Sequence, residues 1–77
     1  MTVFLLKVME ENDNIPHNVS VYSTEEKVKD AIIALAICKN EPALLLEHEY
    51  DTYQNAECWH YPGYKGTIYY VEKFRVD

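Results

Sequence analysis

From Thr2 to Met9 apolar residues occupy both phases of a two-residue period. Phe4, Leu6 and Val8 share one face, and Val3, Leu5, Lys7 and Met9 share the other. That period belongs to a β-strand, and apolarity on both faces predicts a strand inside a sheet, not one at its edge. Residues 10–18 carry Asn12, Asp13, Asn14 and Pro16 and read as a turn-rich connector. Alternation resumes over residues 19–22, so residues 2–22 are predicted to form a hairpin with a long loop. The period then lengthens. Ser23-Thr24-Glu25-Glu26 has the form of a capping box, with Ser23 as the cap, and opens a helix expected over residues 24–39, closed by Asn40 and Pro42. Val28, Ala31, Ile32 and Leu35 make the stripe that should cover the sheet. Residues 31–38 are apolar without interruption, which places Ile33 and Ile37 on the opposite side of the helix and Cys38 on its buried part.

The second half is harder to divide. Ala43, Leu46, Tyr50 and Tyr53 suit a helix, whereas Leu44, Leu46, His48 and Tyr50 against Glu47, Glu49 and Asp51 suit a strand; the balance leans to strand or extended structure. Residues 54–66 read as a loop with a turn at Pro62-Gly63. Residues 67–76 alternate cleanly, with Ile68, Tyr70, Glu72, Phe74 and Val76 opposite Thr67, Tyr69, Val71, Lys73 and Arg75. That is a strand, with one of Tyr69 and Tyr70 in the core and the other available. The expected fold is α+β: a three- to four-stranded antiparallel sheet with one long helix on one face, ββαβ-like, in a single domain spanning 1–77.

Composition narrows what such a fold does. Eight of the ten aromatic residues lie from Tyr50 to Phe74, and no Lys or Arg occurs over residues 40–64, where Glu41, Glu47, Glu49, Asp51 and Glu57 fall. A net charge of −6 disfavours phosphate contacts, so direct nucleic-acid binding is not expected. Stacking single-stranded nucleic acid on the tyrosines would need a positive groove that this segment lacks. Tyr and Trp supply rigid contact area at low entropy cost, which suits a protein partner. With 77 residues the chain is marginal on its own, and burial of Ile33 and Ile37 in a homodimer is the expected remedy. Two cysteines are too few for a secreted staple framework, no signal peptide is evident, and no apolar run reaches the roughly 20 residues of a membrane span. A soluble, cytoplasmic setting follows, in which Asn18-Val19-Ser20 is a chance sequon.

Reaction chemistry is sparse. Cys58 and His60 would share a strand face, yet a domain this small has little room for a substrate pocket, so no catalytic residue and no cofactor is expected. Cys38, His48, Cys58 and His60 are zinc-type ligands, but only Cys58-x-His60 is closely spaced. One core cysteine and solvent-facing histidines are the expectation, with a zinc-stabilised or self-associating structural module as an alternative.

Val21-Tyr22-Ser23-Thr24-Glu25-Glu26-Lys27, the turn Pro62-Gly63-Tyr64 and the ending Tyr70-Val71-Glu72-Lys73-Phe74-Arg75-Val76-Asp77 resemble a family of very small phage and bacterial proteins. That family has a strand–strand–helix–strand layout and no assigned function. The resemblance covers about two thirds of the chain; the acidic, tyrosine-rich segment 41–61 stands as an insert. It implies a phage or mobile-element origin and a protein that binds and disables a host protein, such as a component of restriction, BREX-like or CRISPR-like defence, in the host cytoplasm. The expected contact surface is Glu47, Glu49, Asp51, Tyr53, Glu57, Trp59 and Tyr61, with the aromatic residues as anchors that can be removed without harm to the fold. An acidic mimic of DNA that blocks a nucleic-acid-binding site is the second possibility.

Overall fold

The computed structural model describes residues 1–76; Asp77, the acidic residue that ends the resemblance, lies outside them. Five strands form one antiparallel sheet: β1 (Thr2–Met9), β2 (His17–Tyr22), β3 (Glu47–Asp51), β4 (Ala56–His60) and β5 (Ile68–Arg75), in the order β2-β1-β5-β4-β3. One α-helix, α1 (Glu25–Cys38), follows β2, and single 3-10 turns occupy Ala43–Leu45 and Pro62–Tyr64. The α+β class and the single helix are as the sequence predicts. The strand count exceeds the expected three to four because residues 54–66, taken as a loop, contain β4. Ala56, Cys58 and His60 alternate with Glu57 and Trp59 there, a real period of two disguised by small and polar residue types. Segment 41–61 is therefore a hairpin of the same sheet.

In β1, Phe4, Leu6 and Val8 face α1, and Leu6 pairs with Val71 and Val8 with Tyr69 of β5. Leu6, Val8, Val28, Ile32, Tyr69 and Val71 form the main core, with Phe4, Tyr22, Leu46 and Trp59 packed around it. Burying each branched aliphatic side chain of this set contributes about 1.5–3 kcal/mol. On α1 the buried positions are Val28, Ile32 and Ala36, spaced four residues apart, while Ile33 and Ile37 stay exposed. Cys38 is exposed too, because the covered stripe passes through Ala36 and leaves the last turn outside.

Both helix ends are closed locally. Thr24, not Ser23, is the cap: its backbone is extended, and its hydroxyl accepts from the Lys27 amide at 3.1 Å. Ser23 instead accepts from Lys27 Nζ at 3.2 Å. Starting one residue later puts Glu25 and Glu26 in the first turn, at the positive end of the helix dipole. At the other end Asn40 turns left-handed (φ 57°), the Glu41 amide donates to the Ala36 carbonyl at 2.8 Å, and the Asn40 amide donates to Ile37 at 3.0 Å. These are the two bonds of a Schellman closure. The Glu41 carboxylate accepts from Thr67 Oγ1 at 3.1 Å and the Tyr69 hydroxyl at 3.3 Å, tying the chain beyond the helix to β5.

The opposite sheet face has its own small core of Ala56, Cys58, Ile68 and Tyr70. Tyr69 and Tyr70 are thus both buried, one in each core, and neither is free for a partner. Among the described residues no helix is long and apolar enough to cross a membrane.

Candidate protein-binding hairpin

β3 is an edge strand, paired with β4 on one side only. Its register sets Glu49 opposite Cys58 and Glu47 opposite His60, so Glu47, Glu49 and Asp51 form an acidic row on the face away from α1. His48 and Tyr50 take the other face, where the His48 ring stacks on Trp59 with centroids 4.3 Å apart. The hairpin tip is built by Asp51, whose Oδ1 accepts from the amides of Tyr53 (2.9 Å) and Gln54 (3.1 Å). That is an Asx turn, and it lifts Tyr53 to 97% exposure. Asn55 closes the tip with φ 53° and accepts from the Tyr50 hydroxyl.

The segment after β4 folds back to meet the acidic row at Glu49. Gly63 and Tyr64 are both left-handed, with φ 75° and 56°. For glycine this is free; for a bulky aromatic residue it is strained and must be held by its surroundings. The Tyr64 ring lies flat on His60 at 3.8 Å, and its hydroxyl donates to the Glu49 carboxylate. His60 is 2% exposed. Its Nδ1 lies 2.9 Å from the Tyr61 carbonyl, and its Nε2 lies 3.1 Å from Glu49 Oε2, off hydrogen-bonding alignment.

These contacts shape the local acid–base behaviour. The Tyr64 hydroxyl, with His60 beside it, holds the Glu49 carboxyl below its usual range. Ionising Tyr64 would break its bond to Glu49, so its phenol is pushed up to about 12. Burial raises the Cys58 thiol to about 11, so it stays protonated at neutral pH. Between the row and the tip lies an open cavity of about 300 Å³, bounded by Glu49, Asp51, Tyr53, Cys58 and Tyr64. It offers carboxylates and phenol faces with no basic side chain, a lining suited to a cationic group.

Of the residues expected at a contact surface, Glu47, Glu49, Asp51 and Tyr53 come together here. Glu57 and Trp59 do not, since the register of β4 turns both toward α1. Tyr61 is 7% exposed, so it is a core residue, and its hydroxyl is buried without a partner. Removing Trp59 or Tyr61 would damage packing, contrary to the expectation that they are dispensable to the fold. Tyr64, which the sequence offers only as part of a turn, belongs to the site instead. Its one sequence signal is the preceding Pro62-Gly63, which sets the chain up to reverse over the sheet. His60 is buried against the expectation that the histidines face solvent. Cys38 and His48 lie away from Cys58 and His60, and among the described residues no group of three or more potential ligands is placed to share a metal ion.

No family model, no curated protein and no solved structure matches this chain.

Proposed function

We propose that the chain is a protein-binding module that docks its acidic β3–β4 hairpin on a basic surface of a host protein and blocks that surface. The observation carrying this is the edge position of β3: one face presents Glu47, Glu49 and Asp51, and the tip presents Tyr53 at 97% exposure. Exposed aromatic residues anchor and carboxylates steer, which is the division of labour in charge-guided interfaces. The edge backbone itself is open to a partner's extended segment. The resemblance noted in the sequence supports a phage-encoded antagonist of a host defence protein as the biological setting.

A second reading has one observation in its favour. Alternate residues of a strand lie roughly 6.5–7 Å apart on one face, so the acidic row repeats at a spacing near that of phosphates along a nucleic-acid strand. A mimic of that kind would occupy a nucleic-acid site.

The test is affinity capture from a bacterial lysate with tagged wild-type protein and with Glu47→Lys/Tyr53→Ala, both exposed positions. A host protein retained in stoichiometric amount by the wild type and lost by the variant supports the hairpin as the docking surface. Equal retention by both removes it. Elution that tracks salt steeply, and competition by DNA, favour the mimic.

A further inference from the structure

On the sheet face away from α1 the Tyr64 segment packs on His60 of β4 and Glu49 of β3, and the β2-β1 half is left open. Leu5 pairs with Val21 on one side and Glu72 on the other, and Val3 pairs with Phe74, so these five side chains share the open surface with Lys7. Val21 is 58% and Phe74 45% exposed, large values for strand residues of their type. The only charges among these six side chains cancel: Lys7 Nζ lies 2.8 Å from Glu72 Oε1, both partly buried.

We propose that this face is the homodimer interface, in which the open halves of two sheets stack with both helices outside. The charge pattern selects a second copy as the occupant. The chain carries −6 overall, so most of its surface repels a second copy. This surface is locally neutral, and it is apolar around its ion pair. Each copy brings its own internally neutralised Lys7–Glu72 pair, so no net charge is buried, and a two-fold axis lying between the sheets and across that pair sets each lysine against the other copy's glutamate. Sheets stack about 10 Å apart, a distance that Val3, Leu5, Val21 and Phe74 from both copies fill. The Tyr64 segment sits on β4 and β3, with β5 between it and β1, so an overlap confined to the open half leaves both β3 edges free. Ile33 and Ile37, the interface expected from the sequence, remain on the outer side of each helix.

Sedimentation equilibrium on the full chain tests this. The wild type should reach twice the 9.0 kDa chain mass. Val21→Lys/Phe74→Lys should weaken association by about a hundredfold or more, since it buries unpaired charge. It also lowers the net charge from −6 to −4 (−6 + 2), which by itself would favour association, so the loss cannot be general repulsion. Ile33→Lys/Ile37→Lys makes the same charge change and should leave the dimer intact. The milder Val21→Thr/Phe74→Thr should weaken the dimer with an unchanged circular dichroism spectrum, separating loss of contact from loss of fold. A wild type that keeps the single-chain mass at about 1 mM overturns the proposal, as does dissociation confined to the helix pair.

Discussion

The two faces of the sheet are closed by different means. Toward α1, a fourteen-residue helix lays Val28 and Ile32 on Leu6, Val71 and Tyr69, and burial does most of the holding, with the exposed Lys73–Glu25 and Lys39–Glu10 pairs at its rim. On the other side lies a small core of Ala56, Cys58, Ile68 and Tyr70, flanked by the short Tyr64 segment, which is held by one stacked ring, one hydroxyl–carboxylate bond and a strained tyrosine backbone. A core closed by area is insensitive to any single polar contact. One closed by a short segment depends on the protonation state and identity of particular residues. Exposed binding surfaces gather on the second kind of cover, where the elements are short and the side chains only half engaged.

The helix-side core is most vulnerable at Ile32. Ile32→Ala removes the centre of the helix-side core and should cost about 2–5 kcal/mol in chemical denaturation, close to the whole stability of a chain this size. If that loss is under about 1 kcal/mol, the helix is not the principal cover.

Alkali should act next, through the opposite face. Burial raises Tyr70 from 10.0 to about 12 and Cys58 from 9.0 to about 11. Folded values above unfolded ones mean that the folded state holds these protons more tightly. Their contribution is complete below about pH 9 and is lost as pH climbs through 11 and 12. Burial raises Tyr69 in the helix-side core as well, so phenol ionisation strains both faces, but only the far face carries a thiol. Denaturation midpoints between pH 8 and 12 should therefore fall, and Cys58→Ala should delay the onset of the fall. A flat profile up to the phenol range would show Cys58 to be solvated.

Tyr61→Phe should stabilise the fold by about 1 kcal/mol, because the hydroxyl removed is buried without a partner. A destabilised variant would mean that the hydroxyl is bonded. The smallest effect belongs to Glu49→Gln, which loosens the hold on the Tyr64 hydroxyl. The global midpoint should stay unchanged while the Tyr64 amide, which donates to the Tyr61 carbonyl at 3.0 Å, exchanges faster with solvent. Unchanged exchange would show that stacking on His60 suffices to hold the turn.

The parts of the fold that are legible from sequence are those whose signals are local. Full alternation in β1 and β5, the 3.6-residue stripe through Val28 and Ile32, and the Asn40 stop are each written within a few consecutive residues, since backbone sterics and side-chain period act at that range. The helix cap was legible to within one residue. The acidic row was legible as composition, and its three carboxylates share a face simply because alternate strand residues do.

Tertiary structure decided the rest. β4 is a strand because β3 and β5 flank it and pair with it on both sides, a fact that no five-residue window contains. The register of that strand sent Trp59 and Glu57 to the helix side, and Tyr61 lost its place on the surface to packing. A one-residue step along a strand reverses the face of every side chain, so which aromatic residues serve the core and which meet a partner is fixed by pairing with distant strands.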